Sequence, residues 1–322
     1  MRRRQFAAMV AAAPLFAYGQ ARDGYPTRPV RLINPFPPGS PVDVVARPLA
    51  QKLQEIWGQS VIVENKAGAG GTLGAELAAQ AQPDGHTLLI TSASTHVIAP
   101  VLRKSLPYDA LKDFAPIALV AHGPTAIVVH PSVPVRTLAE LVRYARENPG
   151  KLAYASSGIG TILHLNGELF AARNNVQLLH VPYKGAVPAS TDLLAGQVQM
   201  MFDSIANAAP QVTAGRLRAL AVLMPTRSSL LPGIPTAAEQ GFDGLEFPAW
   251  IGLFAPARTP AGVLARITGT VAAVTAQTDL KERYLQSGLL PADVTGADFA
   301  KVIAANQQVV ADLVRNAKIE LQ

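Results

Sequence analysis

Two loops rich in glycine and proline, each joining a short apolar run to a helix-forming run, constrain this chain more than any other feature. The first, Asn34-Pro35-Phe36-Pro37-Pro38-Gly39-Ser40-Pro41-Val42-Asp43, follows Val30-Arg31-Leu32-Ile33. The second, Glu64-Asn65-Lys66-Ala67-Gly68-Ala69-Gly70-Gly71-Thr72, follows Val61-Ile62-Val63. A helix start leaves backbone N–H groups without intrahelical partners, and a glycine beside it lets an anion come close. Two such starts on neighbouring strands can hold a carboxylate with no charged side chain. The loops therefore point to a site for a small organic acid. Its expected donors are the N–H groups at Gly39-Ser40 and from Gly68 through Gly70 and Gly71 to Thr72.

The 322 residues, 49% of them hydrophobic, suffice for one large or two medium domains with a real core. Only 16% are charged, too few for a disordered chain. The formal net charge of +6 includes Arg2, Arg3 and Arg4, which belong to an expected export signal. No basic run interleaved with aromatics is present, which argues against nucleic acid as a partner. The start has the three parts of such a signal: the arginines, an apolar run from Phe6 to Tyr18, and a small-x-small site at Gly19-Gln20-Ala21. A signal peptide over 1–21 and a mature start near Arg22 are expected, with export to the periplasm. Arg3-Arg4-Gln5-Phe6 partly matches a twin-arginine signal, so both that route and Sec remain open. The chain has no cysteine, hence no lipid-anchoring thiol and no disulfide framework.

Beyond the signal, strand-like and helix-like runs alternate. Strands are expected at 30–33, 61–63, 87–91, 117–120, 126–129, 152–155, 178–181, 200–202 and 219–223. Helices are expected at 42–54, 73–80, 138–146, 162–172, 189–194 and 206–214. In the first helix Val45, Leu49, Leu53 and Ile56 recur at helical spacing behind Ser40 as N-cap and Pro41 at the first helical position. Alternation of this kind predicts an α/β protein whose sheets are mostly parallel and flanked by helices. The proline-rich stretches 120–134 and 231–260 break the alternation and read as crossings between two lobes. One lobe is expected from 25–121 plus 247–322 and the other from 122–246. The tail from 261 reads as helical, with little strand signal, packed back on the first lobe.

A third loop, Tyr154-Ala155-Ser156-Ser157-Gly158-Ile159-Gly160-Thr161, repeats the same design in the second half, with Ser157 and Thr161 offering hydroxyls and Gly158 to Thr161 offering N–H groups. The glycines at 68–74 do not make a dinucleotide fingerprint, because Leu73 stands where the third glycine is required. Neither a phosphate-binding G-x-x-x-x-G-K-[ST] loop nor a G-x-S-x-G elbow occurs. His164 and Glu168 share a helix face, yet no second histidine lies near. His164 thus reads as a local hydrogen-bonding or cleft-lining residue, and neither a metal nor a cofactor is expected. Ser156 and Ser157 have no nameable base. Asp203 follows an apolar strand and reads either as a structural helix N-cap or as a group at the crevice where an α/β fold meets its ligand, receiving an amine, hydroxyl or water. Lys66 is the single cation within the loops, and Lys184 is expected to approach from the second lobe.

Taken in order, further segments extend these loops into a pattern. They are Pro35 to Gly39 with Asp43 to Arg47, Glu64 to Gly71, Tyr154 to Gly158, His180-Val181-Pro182-Tyr183-Lys184-Gly185, Asp192-Leu193-Leu194-Ala195-Gly196 and Phe202-Asp203. Gly215 to Val222, Ile234-Pro235-Thr236 with Glu239, and Trp250 complete it. The combination resembles the substrate-binding proteins of tripartite tricarboxylate transporters, the Bug family. The resemblance implies a two-lobed periplasmic binding protein fold, type II-like, that closes on a carboxylated solute and delivers it to membrane permease subunits, working as a monomer. The ligand-contacting loops it implies are Phe36 to Ser40, Ala67 to Gly71, Ser92 to Thr95, Ser156 to Thr161, and Asp203. Asp43 is carried over with the first loop. One departure stands out: members carry Gly-Gly or Gly-Thr before the aspartate, whereas this chain has Ser40-Pro41-Val42, and Pro41 lacks an N–H. Two other readings share the pattern. One is an enzyme acting on carboxylic acids through Ser157, His164 and Asp203; the other is a ligand-presenting subunit of a membrane sensor.

Overall fold

The computed structural model describes residues 24–224, 226–245 and 249–316, so the export signal expected over 1–21 lies outside the described residues. The chain begins with β1 (Val30–Asn34), α1 (Pro41–Trp57), β2 (Val61–Asn65), α2 (Thr72–Ala79) and β3 (Thr87–Ser92). The local chemistry of α1 explains its ends. Ser40 is extended and its side chain accepts from the Asp43 N–H, Pro41 takes the first turn, and Gly58 ends the helix at φ 64°. Val42, Val45, Leu49 and Leu53 form its buried face. A π-turn at Ser94–Ile98 and α3 (Ala99–Leu102) lead to β4 (Phe114–His122).

Gly123 and Pro124 alone separate β4 from β5 (Thr125–Val129). Then come α4 (Leu138–Glu147), β6 (Ala153–Ser156), α5 (Ile162–Asn174), β7 (Leu179–Pro182), α6 (Ala186–Leu194), β8 (Met200–Ser204), α7 (Ile205–Thr213) and β9 (Arg218–Leu223). The return brings β10 (Trp250–Pro256), α8 (Ala261–Thr275), α9 (Thr278–Gln286), β11 (Leu290–Thr295) and α10 (Gly296–Asn316). Among the described residues no helix is long and apolar enough to cross a membrane.

The strands form two sheets, ordered β11-β4-β10-β3-β1-β2 and β7-β6-β8-β5-β9. The α/β class with two helix-flanked sheets stands, but the sheets are mixed rather than mostly parallel. Strands joined through a helix on one side, β1 with β2 and β3, and β6 with β7 and β8, are parallel. The strands flanking the crossings run the other way: β10 lies antiparallel between β3 and β4, and β5 antiparallel between β8 and β9.

Two strands correct the sequence reading. The stretch 231–260 is not only a crossing, because it contains β10, buried at every position. With both faces covered it shows no alternation, and proline on either side masks it. Its Gly252 makes room for the Phe299 ring, which a Cβ would strike. The tail is not wholly helical either: β11 adds an edge strand to β4, with Pro291 at a register shift, a place where a missing N–H is tolerated. The tail does pack on the first sheet. Ile267, Val271 and Leu280 join Leu49 and Leu53 in one apolar cluster, and the Tyr284 hydroxyl donates to the Val45 carbonyl at 3.2 Å.

Candidate functional site

The two sheets meet across a cleft with two adjoining chambers. The first, open to solvent on one side, spans about 640 Å³ and takes walls from both sheets: Phe36, Ser40, Val42, Ser92, Ser94 and Trp250 from one, Thr125, Ser157, Thr161, Leu163 and Ser204 from the other. The second, about 1290 Å³, is bounded by Ala67 to Gly71 and Arg103 on one side and by Ser157 to Ile159 and Pro182 to Gly185 on the other. Phe36, Pro37, Ser157 and Gly185 belong to both walls. Gly123 and Ala249, one from each crossing, line the first chamber, and the Gly123 N–H donates to the Ala249 carbonyl at 2.8 Å.

The first loop is organised by Asp43, which is 4% exposed. Its carboxylate accepts from the Gly39 N–H at 3.0 Å, from Arg47 Nε at 2.8 Å and Nη2 at 3.0 Å, and from Asn65 Nδ2 at 2.9 Å. Burial alone would raise this carboxyl, but the hydrogen bonds from Arg47, Asn65 and Gly39 outweigh it and hold it below the usual range. Two expectations are corrected here. Asp43 serves the loop rather than the cleft, and the N–H groups of Gly39 and Ser40 are occupied, the latter by the Pro37 carbonyl at 3.2 Å. Gly39 lines neither chamber, while Ser40 lines the first. Asn65 Nδ2 also donates to the Phe36 carbonyl at 2.9 Å, so the same knot seats the Phe36 ring.

In the second loop Ala69, Gly70 and Gly71 adopt φ values of 49°, 69° and 98°. The Gly71 N–H donates to the Gly68 carbonyl at 2.9 Å, and the Thr72 N–H turns to the Ala69 carbonyl. Thr72 Oγ1 donates to that same carbonyl at 3.0 Å and Arg103 Nη2 does so at 2.7 Å. Thr72 is therefore buried support, a correction to its expected place on the wall. Gly71 is needed because a Cβ would come within 2.8 Å of Thr95 Cγ2 and 3.0 Å of Phe36 Cζ. Thr95 is itself a correction: at 0% exposure its hydroxyl is shared among Thr91, the Ser92 carbonyl and His96. Ala67, Gly68, Gly70 and Gly71 line the second chamber, and Ser92 the first.

In the third loop Ser157 faces both chambers, Gly158 the second and Thr161 the first. Thr161 stands at the N-cap of α5 without a side-chain cap, its hydroxyl donating instead to the Gly158 carbonyl at 2.7 Å. The first-turn N–H groups of α5 behind Ile162 and Leu163 are thus left for another acceptor. The N–H groups of Gly158 and Thr161, expected to reach a ligand, are taken by Ser156 Oγ at 3.2 Å and the Gly158 carbonyl at 3.3 Å. Ser156 is buried, and its Oγ lies 2.7 Å from His180 Nε2.

His164 accepts from the Gly160 N–H at 3.2 Å and stacks on His180 at 4.3 Å. Burial pushes its pKa down to about 4, and it lines neither chamber, so of its two expected roles it keeps the local hydrogen bond and not the place in the cleft. Asp203 is also corrected. At 1% exposure it receives Ser190 Oγ at 3.1 Å, the Ser204 N–H at 2.8 Å and Asn207 Nδ2 at 3.5 Å, all within its own side of the cleft. Burial drives its pKa up to about 7 despite those donors. Its neighbour Ser204 reaches the first chamber instead. Lys184 lines the second chamber, and Lys66 pairs with Glu64 at 3.5 Å.

Sequence reasoning missed Arg103, Thr125 and Ser204, while Ser94 falls within the expected loop Ser92 to Thr95. Arg103 is far in sequence from the glycines it supports, and nothing local marks it. Trp250 lay in the sequence pattern without a site role. Ser157, His164 and Asp203, the trio for an enzyme, do not converge: no hydrogen bond joins any two of them among the described residues, and only Ser157 faces the cleft. Among the described residues no cluster of three or more His, Cys, Asp or Glu is placed to hold a metal.

A family model described as "Tripartite tricarboxylate transporter family receptor" matches residues 45–319. A protein from Pseudomonas sp. (strain P51), described as a UPF0065 protein in the tcbD-tcbE intergenic region, is 44% identical over 84% of this chain and 80% of its own. The periplasmic binding protein BugD superposes with a TM-score of 0.87 at 37% identity, covering 92% of this chain and 100% of that one. An R. palustris protein solved with adipate gives 0.88 at 32% identity, over 92% and 99%. This chain belongs to the tripartite tricarboxylate transporter family of receptors, the Bug-type periplasmic binding proteins, which are two-lobed solute-binding proteins and not enzymes.

Proposed function

We propose that this protein is an exported periplasmic receptor that captures a small carboxylated organic acid between its lobes and delivers it to a tripartite tricarboxylate-type membrane transporter. The observation that carries the reading is the first chamber. It is walled by both sheets, floored by the two crossings, and bordered by the starts of α1 and α5, where hydroxyls and first-turn N–H groups can meet an anion. The donors are the hydroxyls of Ser40 and Ser157 and the uncapped N–H groups of α5. The glycine-loop N–H groups instead hold the loops in shape.

The lobes are 25–121 with 247–322, and 122–246. The Gly123–Ala249 hydrogen bond sits at their hinge, and closure brings Pro37 to Gly185 and Gly70 to Ile159 across the mouth. A closed receptor presents both lobes in a fixed relation, the form a permease can recognise, and reopening releases the acid. A thermal-shift screen of mono-, di- and tricarboxylates, amino acids and aromatic acids tests this. An acid at 100 times its dissociation constant stabilises by about 2.7 kcal/mol, and small-angle scattering should show a smaller radius of gyration. No shift with any acid in the panel would remove the reading.

A further inference from the structure

The first chamber constrains its ligand beyond the presence of a carboxylate. Building on the reading of this cleft as a carboxylate receptor, we propose that the chamber selects acids with one carboxylate and an apolar body, alkyl or aryl, and discriminates against a second charge.

Its walls are the reason. Phe36, Val42, Ile162, Leu163, Trp250 and Ile251 line it, its surface is predominantly apolar, and among the described residues no Asp, Glu, Lys, Arg or His lines it. The charged groups nearest in the chain are engaged elsewhere: Asp43 is tied to Arg47 and Asn65, and Asp203 to Ser190 and Ser204. The cations of the cleft, Arg103 and Lys184, stand in the second chamber. One carboxylate can sit at the start of α5 and on the hydroxyls of Ser40 and Ser157. A second, at the far end of the same molecule, would meet the wall of Trp250 and Ile251. There it would lose its hydration with no cation in return, whereas a methyl or phenyl group would be favoured by those walls. Val42, next to Asp43, adds its methyl groups to the same apolar wall.

Matched pairs test the proposal by isothermal titration calorimetry on the full mature protein at pH 7.5. Hexanoate and adipate share a chain length, as 4-methylbenzoate and terephthalate share a ring. In the pair that binds more tightly, the monoacid should bind at least about tenfold tighter than its diacid. A diacid equal to or tighter than its monoacid would overturn the proposal. So would a preference for adipate that Arg103→Gln erases, since the second charge would then lie in the second chamber. Hexanamide separates this claim from the one beneath it. If the amide bound as well as hexanoate, the carboxylate reading would fail while the preference for an apolar body survived.

Discussion

Asparagine in place of Asp43 removes one charge and leaves the shape of the side chain nearly unchanged, so it measures what holds the first loop. The carboxylate gathers the Gly39 N–H, two Arg47 nitrogens and Asn65 Nδ2 within 3.0 Å. Asparagine keeps one acceptor oxygen and turns an NH2 toward groups that are themselves donors. The Arg47 side chain is 55% exposed, so its share is discounted for solvent screening to about 0.5–1 kcal/mol. A buried hydrogen bond to a charged acceptor contributes about 1.5–3 kcal/mol, and at least one of those from Gly39 and Asn65 is lost. The expected destabilisation is about 2–4 kcal/mol, or roughly 3–6 °C in Tm at an unfolding entropy of about 2.1 cal/mol/K per residue for a chain of this size. Because Asn65 also holds the Phe36 carbonyl, ligand affinity should fall as well.

The pH dependence of that loss identifies its source. A carboxyl whose pKa is depressed on folding contributes stability in full above its unfolded value of about 3.9 and loses it as pH falls through the lower folded value. The Tm difference between wild type and Asp43→Asn, measured by calorimetry, should hold steady from pH 8 to 5 and shrink below about pH 4. Equal melting temperatures at pH 7, or a difference undiminished at pH 3, would refute the reasoning.

Three further outcomes rest on named contacts. Asp203→Asn should raise Tm at pH 8. The folded acid, with its pKa lifted to about 7, holds a proton that the unfolded chain releases near pH 4, so stability declines as pH rises through that window and the variant escapes the decline; a variant no more stable than wild type at pH 8 would contradict this. Gly185→Ala places a Cβ 2.9 Å from Pro37 Cγ at φ +129°, and should weaken acid binding about 10–100-fold by overpacking the mouth, with scattering showing a larger ligand-saturated radius than wild type. Lys66→Gln, by contrast, removes an exposed charge paired with Glu64; titration should find binding within about threefold of wild type, since such surface pairs contribute little.

Local chemistry made much of the fold legible. Ser40, Pro41 and Gly58 mark α1 from either end, and the apolar runs around Leu32, Leu89 and Met201 announce strands because they lie between turn signals. β10 escaped because a strand covered on both faces has no period, and β11 because an edge strand containing Pro291 looks like a loop. The site was half legible for a related reason. Glycine and proline located the loops, but which N–H groups remain available depends on partners distant in sequence. Asn65 on the second strand completes the Asp43 knot, Arg103 reaches the Ala69 carbonyl, and Ser204 rather than Asp203 faces the chamber. Those relations exist only once the sheets are assembled.

The central claim is that an organic acid lies between the sheets, held by hydroxyls and a helix start rather than by a salt bridge. A crystal structure of the protein with its tightest-binding acid from the screen tests this most directly. The carboxylate should lie within hydrogen-bond distance of Ser40, Ser157 or the first-turn N–H groups of α5, with the body of the acid against Trp250. A carboxylate paired with Arg103 or Lys184, or an acid bound outside the cleft, would contradict it.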